Sequence, residues 1–153
     1  MPIGIPGSGK TRLYHLRYSH LPIISVDLLR KELYGDVNTL KSIYDESNRR
    51  VWEMVNTGQS FYYDATNVNT KFRKRFVNQF RGKDVDITYV VLPANVDLSY
   101  KRITEDIKNN VERGNVPYEK IVYKYQLYKE AIDNQFAGEN VKKIIYIQPG
   151  ELD

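Results

Sequence analysis

The chain has no cysteine among its 153 residues. That removes disulfides, thiolate catalysis and Cys-based zinc sites from consideration, and it fits a reducing, cytoplasmic setting. Histidine is nearly as scarce: His15 and His20 are the only two, close together near the N-terminus, too few for a histidine-based hydrolase or metal cluster. No apolar run reaches the length of a transmembrane helix and no secretory leader is visible, so no membrane role is expected. Low-complexity tracts, internal repeats and linker-like stretches are missing too. What remains has the length and composition of one globular domain, residues 1–153, able to bury a core. The formal net charge of +4 is mild; it is compatible with a polyanionic partner and equally with simple solubility. The thirteen tyrosines suit half-buried packing with the hydroxyl outward, or stacking on bases.

The most informative stretch is Gly4-Ile5-Pro6-Gly7-Ser8-Gly9-Lys10-Thr11. It fits G-x-x-x-x-G-K-[ST], the phosphate-binding P-loop. Glycines at 4, 7 and 9 let the backbone turn tightly and bring successive N–H groups close to one anion. The loop, Pro6 and Ser8 included, would wrap the phosphates of a nucleoside triphosphate at the N-terminus of the next helix. Lys10 would reach the β- and γ-phosphates and the Thr11 hydroxyl would ligate Mg²⁺. The strand ahead of the loop is only Met1-Pro2-Ile3, which implies either a stub or residues upstream of Met1.

Strand and helix signals alternate along the chain, which predicts an α/β fold with a parallel sheet of about five strands sandwiched by helices. The expected strands beyond the first are 21–26, 60–63, 85–92 and 141–147. The expected helices are 11–18, 28–34, a long one over 38–57, 70–81 capped by Asn69, 96–109 with Leu98, Ile103 and Ile107 inward, and one with Pro117 at its first position. Residues 148–153 read as a frayed tail.

Ligands of open parallel sheets gather outside the carboxyl ends of the strands. The P-loop, Asp27 and Asp64 fall at three such ends. Asp27 suits a general base that takes a proton from an acceptor hydroxyl; an N-cap for the helix after it is the competing role. Arg30, one turn on, suits bidentate grip of a substrate phosphate or a solvated helix face. Asp64 ends an apolar strand as a Mg²⁺-orienting acid would, and Thr66 and Asn67 follow in a turn. Residues 102–117 resemble a helical lid, with Arg102 and Arg113 placed to stabilise charge on a transferring phosphoryl group. Lys71, Arg73, Lys74, Arg75, Arg81 and Lys83 form a basic cluster suited to a nucleic-acid backbone or to a solvated helix face. Arg49, Arg50 and Trp52 are further candidates for a substrate channel, with Trp52 read first as core.

Taken together, Gly4–Thr11, Val26-Asp27-x-x-Arg30, Asp64-Ala65-Thr66-Asn67-Val68-Asn69 and Arg113-x-x-Val116-Pro117 resemble the P-loop kinases related to phage polynucleotide kinase, over roughly residues 2–135. The resemblance implies a P-loop kinase fold, ATP and Mg²⁺ as cofactors, and nucleic acid, DNA or RNA, as substrate. It implies Asp27 as the base, Arg30 as the acceptor-phosphate arginine, and Asp64, Thr66 and Asn67 as the acceptor-side loop. It also implies Lys10 and Thr11 at phosphate and metal, and Arg113 as the lid arginine on the ATP phosphates. The paired lid arginines of the family are spread apart here, at 102 and 113. The expected activity is ATP-dependent transfer to a 5′-hydroxyl. The alternatives are kinases of hydroxymethylated bases in DNA or of small-molecule hydroxyls, and a nucleic-acid-binding NTPase with no acceptor. A cytoplasmic location, including the host cytoplasm for a phage-encoded protein, goes with this reading.

Overall fold

The computed structural model describes residues 1–153. Its five strands are β1 (Pro2–Ile3), β2 (Ile23–Ser25), β3 (Tyr62–Asp64), β4 (Thr88–Val91) and β5 (Lys143–Tyr146). Its six helices are α1 (Lys10–Leu13), α2 (Val26–Tyr34), α3 (Tyr44–Asn56), α4 (Thr70–Asn78), α5 (Val96–Lys108) and α6 (Tyr118–Asp133). A π-helical segment, Tyr14–Tyr18, continues α1. All pairings are parallel: β1, β4 and β5 form one ladder in the order β1-β4-β5, and β2 pairs with β3. The seam between β1 and β3 carries no regular ladder. It is closed by the Gly4 N–H donating to Thr66 O at 3.0 Å and by the Asn67 amide donating to Pro2 O at 2.7 Å.

Both faces of this sheet are covered, as parallel strands require. Period-2 alternation in β4 and just beyond sends Tyr89 and Val91 into a core with Ile3, Ile5, Val77, Ile103 and Ile121. Val90 and Leu92 face the other way, against Leu13, Tyr62 and Ile147. A third cluster, Ile24, Leu29, Val51, Tyr63, Phe76 and Phe80, packs α2, α3 and α4 on β2 and β3. No helix is long and apolar enough to cross a membrane.

The elements appear in the predicted order, with informative differences in extent. β2 ends at Ser25, which caps α2 by accepting from the Leu28 N–H at 3.4 Å. Asp27 therefore lies inside the first helical turn and is free of the cap role. The helix expected over 38–57 begins only at Tyr44. Residues 36–43 are instead a loop in which short polar side chains capture the backbone: Asp36 accepts from Asn38 N–H, Thr39 from Lys41 N–H and Ser42 from Tyr44 N–H. Such local bonds compete with helix, and they leave Leu40, counted into the helical stripe, 98% exposed. Asn69 caps α4 as expected, accepting from Phe72 N–H at 2.9 Å. In α5, Ile103 is buried while Leu98 and Ile107 point outward. Pro117 is the cap residue before α6, one position earlier than predicted.

The terminal segment 148–153 is not frayed. It folds back along α1, where the Arg12 guanidinium donates to Leu152 O and Arg17 pairs with Glu151 at 2.6 Å. Two other sequence-level readings are corrected. Arg49 and Arg50 are engaged by Glu46, Glu53 and Glu32 and line no substrate channel; Trp52 packs against the core on Phe80, as first read, while donating to Gln79 at 2.9 Å. Arg73 leaves the basic surface cluster altogether. Its side chain is fully buried and ion-paired with the equally buried Glu139 at 2.8 Å.

Candidate active site

One cleft of about 2280 Å³ opens over the carboxyl ends of the strands. Of the residues singled out above, Pro6, Gly7, Ser8, Gly9, Lys10, Thr11, Asp27, Arg30, Asp64, Thr66, Asn67, Arg102 and Arg113 all line it. Gly4 does not. It sits behind the loop, where its N–H ties the loop's start to Thr66, and a Cβ there would meet Ser8 Oγ at 2.4 Å.

The loop's shape depends on left-handed glycines, with φ of 76° at Gly7 and 100° at Gly9. Gly7 also has no room for a side chain, since an added Cβ would lie 2.8 Å from Ser99 O on α5. Gly9 caps α1, and the exposed Thr11 opens that helix toward the cleft. Ser8 Oγ is buried without a partner. The Lys10 ammonium rests on the loop's own carbonyls, Ile5 O at 2.9 Å and Gly4 O at 3.2 Å. Burial lowers its pKa to about 8, against the pull of the Asp64 and Asp27 carboxylates and with the help of nearby Arg113 and Lys124. The charges of two carboxylates and two cations, from β3, α2, α6 and the loop after α5, thus bear on one lysine.

Asp64 ends β3 beside Ser25 of β2, its register partner. Burial raises its pKa; the Lys10 charge opposes that rise and the Asp27 charge adds to it. A sheltered carboxylate that feels the charge of a second one, with the Thr11 hydroxyl lining the same cleft, suits a divalent cation held mainly by phosphate oxygens and water, the coordination Mg²⁺ favours. No cluster of three or more His, Cys, Asp or Glu side chains exists that would form an all-protein metal cage.

Asp27 is exposed to the cleft and pairs with Arg30 across one helical turn at 2.8 Å. Only one guanidinium nitrogen of Arg30 is used in that contact. On the opposite wall Arg102 donates to Gly7 O at 3.3 Å, and Arg113 donates to Asp106 at 2.5 Å while its Nε is buried without an acceptor. The loop after α5 reaches across the cleft: Glu112 meets Lys31 of α2, and the Asn115 N–H donates to Asn38 at 2.8 Å.

Two residues do different work from what their sequence position suggests. The Asn67 side chain is turned inward, 3% exposed, with its amide on Pro2 O, Ala65 O and Tyr63 O. It staples β1 to β3, while Thr66 remains the part of the turn that faces the cleft. Arg73 holds the other side of the same turn, donating to Asn67 O at 3.0 Å. Sequence reasoning also missed Lys124, Lys120 and Tyr123 of α6, which line the cleft. It missed as well the terminal turn Gln148–Gly150, which flanks the cleft beside α1. The two lysines were invisible because a lysine on an amphipathic helix carries no signal of which wall it will face.

A comparison with curated proteins finds no match. A family model described as an AAA domain, AAA_33, matches residues 1–121, from the P-loop strand into the first turn of α6. The chain belongs to that family, a nucleotide-binding, kinase-like family of the P-loop kinase and NTPase class.

Proposed function

We propose that the protein is a kinase that moves the γ-phosphoryl group of ATP to a hydroxyl, with the 5′-hydroxyl of DNA or RNA as acceptor. The observation that carries this reading is the shared cleft. The Asp27 carboxylate and the Lys10 ammonium face one space, and the charge of the first is felt at the second. An exposed carboxylate in the same cleft as the phosphate lysine offers a proton acceptor for an incoming alcohol.

The residues divide the task as follows. Loop amides and Lys10 hold the β- and γ-phosphates, and Lys10 leaves the carbonyls of Gly4 and Ile5 to do so. Asp27 takes the proton of the acceptor hydroxyl as its oxygen bonds to the γ-phosphorus; the bond from that phosphorus to the bridging oxygen breaks, and ADP leaves. Arg30 fixes the Asp27 carboxylate and keeps donors free for the acceptor. Arg113, with an unsatisfied Nε, and Arg102 neutralise charge that spreads over the phosphoryl oxygens. Bound Mg²⁺, held by Thr11 and oriented by Asp64, would neutralise further phosphate charge. Polynucleotide as the acceptor is supported by the far wall, where exposed Lys71 and Arg75 flank the half-buried ring of Phe72. Arg75 stacks 4.8 Å from the Tyr44 ring and 5.8 Å from Phe72. Cations alternating with rings suit a backbone and its bases.

Labelled ATP tests the reading against three acceptors: a 5′-hydroxyl oligonucleotide, its 5′-phosphorylated form, and 5′-phosphorylated hydroxymethyluracil DNA. Label on the first alone is the expected result; label on the third would move the acceptor to the modified base. Asp27→Asn should abolish transfer, by a factor of roughly 10² or more, while ATP still binds in a calorimetric titration. Transfer at the wild-type rate in that variant would remove Asp27 as the base.

A further inference from the structure

In the proposed transfer Asp27 and Arg113 act on one phosphorus from two separate elements, α2 and the loop after α5. That loop, residues 111–116, has no regular secondary structure, and residues 112–116 take part in no backbone–backbone hydrogen bond. Asn110, in left-handed backbone with φ 56°, leads into it, and Pro117 at the start of α6 ends it. A segment with so few bonds of its own opens at little cost, yet a displacement of about 1 Å in a charge-stabilising group is enough to slow a reaction strongly. Two contacts tie the segment to the opposite wall. Glu112 pairs with Lys31 of α2, and the Asn115 N–H donates to Asn38 Oδ1 at 2.8 Å. Asn38 is itself fixed, its N–H donating to Asp36 at 2.9 Å. Beside these contacts the two walls part around a recess of about 400 Å³, so the crossing leans on polar contacts. The placement of the ion pair is specific. Lys31 lies one helical turn beyond Asp27, on the same face of α2, and Glu112 immediately precedes Arg113.

We propose that Lys31 and Glu112 are a pair of positioning residues: their ion pair closes the strap 111–116 across the cleft and fixes the Arg113 guanidinium relative to the Asp27 carboxylate. The proposal rests on the kinase reading and deepens it, since base and charge-neutralising arginine are then aligned by a contact that touches neither substrate. The pair works together with Asp106, which holds the Arg113 side chain from α5 at 2.5 Å. One tie sets where the guanidinium points; the other sets where its backbone lies. Both members of the Lys31–Glu112 pair are about half-exposed, so it adds little to the stability of the whole fold. Its effect falls on a segment that has little else to hold it.

The test is a charge swap read in a single turnover, where product release plays no part. Wild type, Lys31→Glu, Glu112→Lys and the double variant carrying both substitutions are each saturated with ATP, Mg²⁺ and a 5′-hydroxyl oligonucleotide, and the transfer step is followed by rapid quench. Each single variant should transfer roughly fivefold or more slowly, the scale of one exposed ion pair and the repulsion that replaces it, and the double variant should recover most of the loss. Thermal melting of all four proteins should coincide. Single variants as fast as wild type would overturn the proposal, as would a double variant no faster than the slower single one. A fall in melting temperature that tracks the loss of rate would assign the pair to stability and overturn its positioning role. If wild type labels no hydroxyl at all, the kinase reading falls by itself. The strap is then decided by stopped-flow release of a fluorescent ADP derivative from the Mg²⁺-loaded protein: faster release in both single variants, reversed in the double variant, keeps the pair as the closure, and equal rates in all four remove it.

Discussion

Lys10 is a base whose pKa in the folded, ligand-free protein lies near 8, below the usual lysine value. The sign of its pH dependence follows. Between about 8 and 10.4 the unfolded chain holds a proton on this residue that the folded one has lost, so this group's contribution to stability grows as pH rises through that window. Nucleotide binding has the opposite slope. A triphosphate favours the charged form, so at pH 8.5 binding draws a proton from solution and the affinity weakens as pH climbs further. Titration calorimetry in two buffers of different ionisation enthalpy reads that uptake directly. Lys10→Met should abolish it, and persistence of the uptake in the variant would assign the proton elsewhere. At this scale the sequence was partly legible. Spacing alone picked out Lys10 and Thr11, because P-loop geometry is local, and Asp27 and Asp64, because each falls at or just past the end of a strand; all four line the cleft. Asn67 was legible as a turn residue and not as a staple. Its left-handed backbone, φ 55°, and its bond to Pro2, 65 residues away, belong to the folded chain only.

At the scale of elements, the nucleotide loop is held against α5. The missing Cβ of Gly7 is what lets Ser99 O approach, and its φ of 76° is one that L side chains resist. Gly7→Ala should therefore push loop and helix apart, at about 1–3 kcal/mol. Because the displaced atoms are the phosphate-binding amides, ATP affinity should fall roughly tenfold or more. Calorimetry together with thermal melting checks this, and wild-type ATP affinity in a destabilised variant would show that the loop tolerates the shift. Helix and strand identities were legible because strongly periodic apolar stripes need only local sequence. The extent of α3 was not. Leu40 and Ile43 continue the stripe on paper, but Asp36, Thr39 and Ser42 bind the backbone and hold the start of the helix back to Tyr44. The resulting loop, through Asn38, is what the lid segment touches.

Across the whole molecule, one buried polar network joins parts that are distant in the chain. Arg73 of α4 reaches Glu139, Thr70 and Asn67 O, and Tyr89 of β4 donates to Glu139 at 2.7 Å. Both charged side chains are fully buried. Arg73→Met would strand the Glu139 carboxylate, at about 3–5 kcal/mol, and would also release Asn67 and the turn that anchors Gly4. Urea denaturation should show that loss. Adding Glu139→Gln should restore much of it, because the uncompensated charge is then gone. No recovery in the double variant would mean that the hydrogen bonds to Asn67 and Thr70, rather than the ion pair, are what the fold requires. In the sequence Arg73 was one member of a basic run and read with its neighbours; which cation of such a run turns inward depends on a carboxylate 66 residues away.

By itself the sequence determined the alternation of strands and helices, the phosphate loop, and the acids at the ends of β2 and β3, because each is written in spacings of a few residues. Only the tertiary structure decided which side chains share the cleft: that Asp27 looks out into it, that Asn67 and Arg73 turn away to brace it, that residues 148–153 close along α1, and that Lys124 enters from α6. Those outcomes depend on how helices roll against a sheet, and a roll of a single residue position exchanges a wall of the site for solvent.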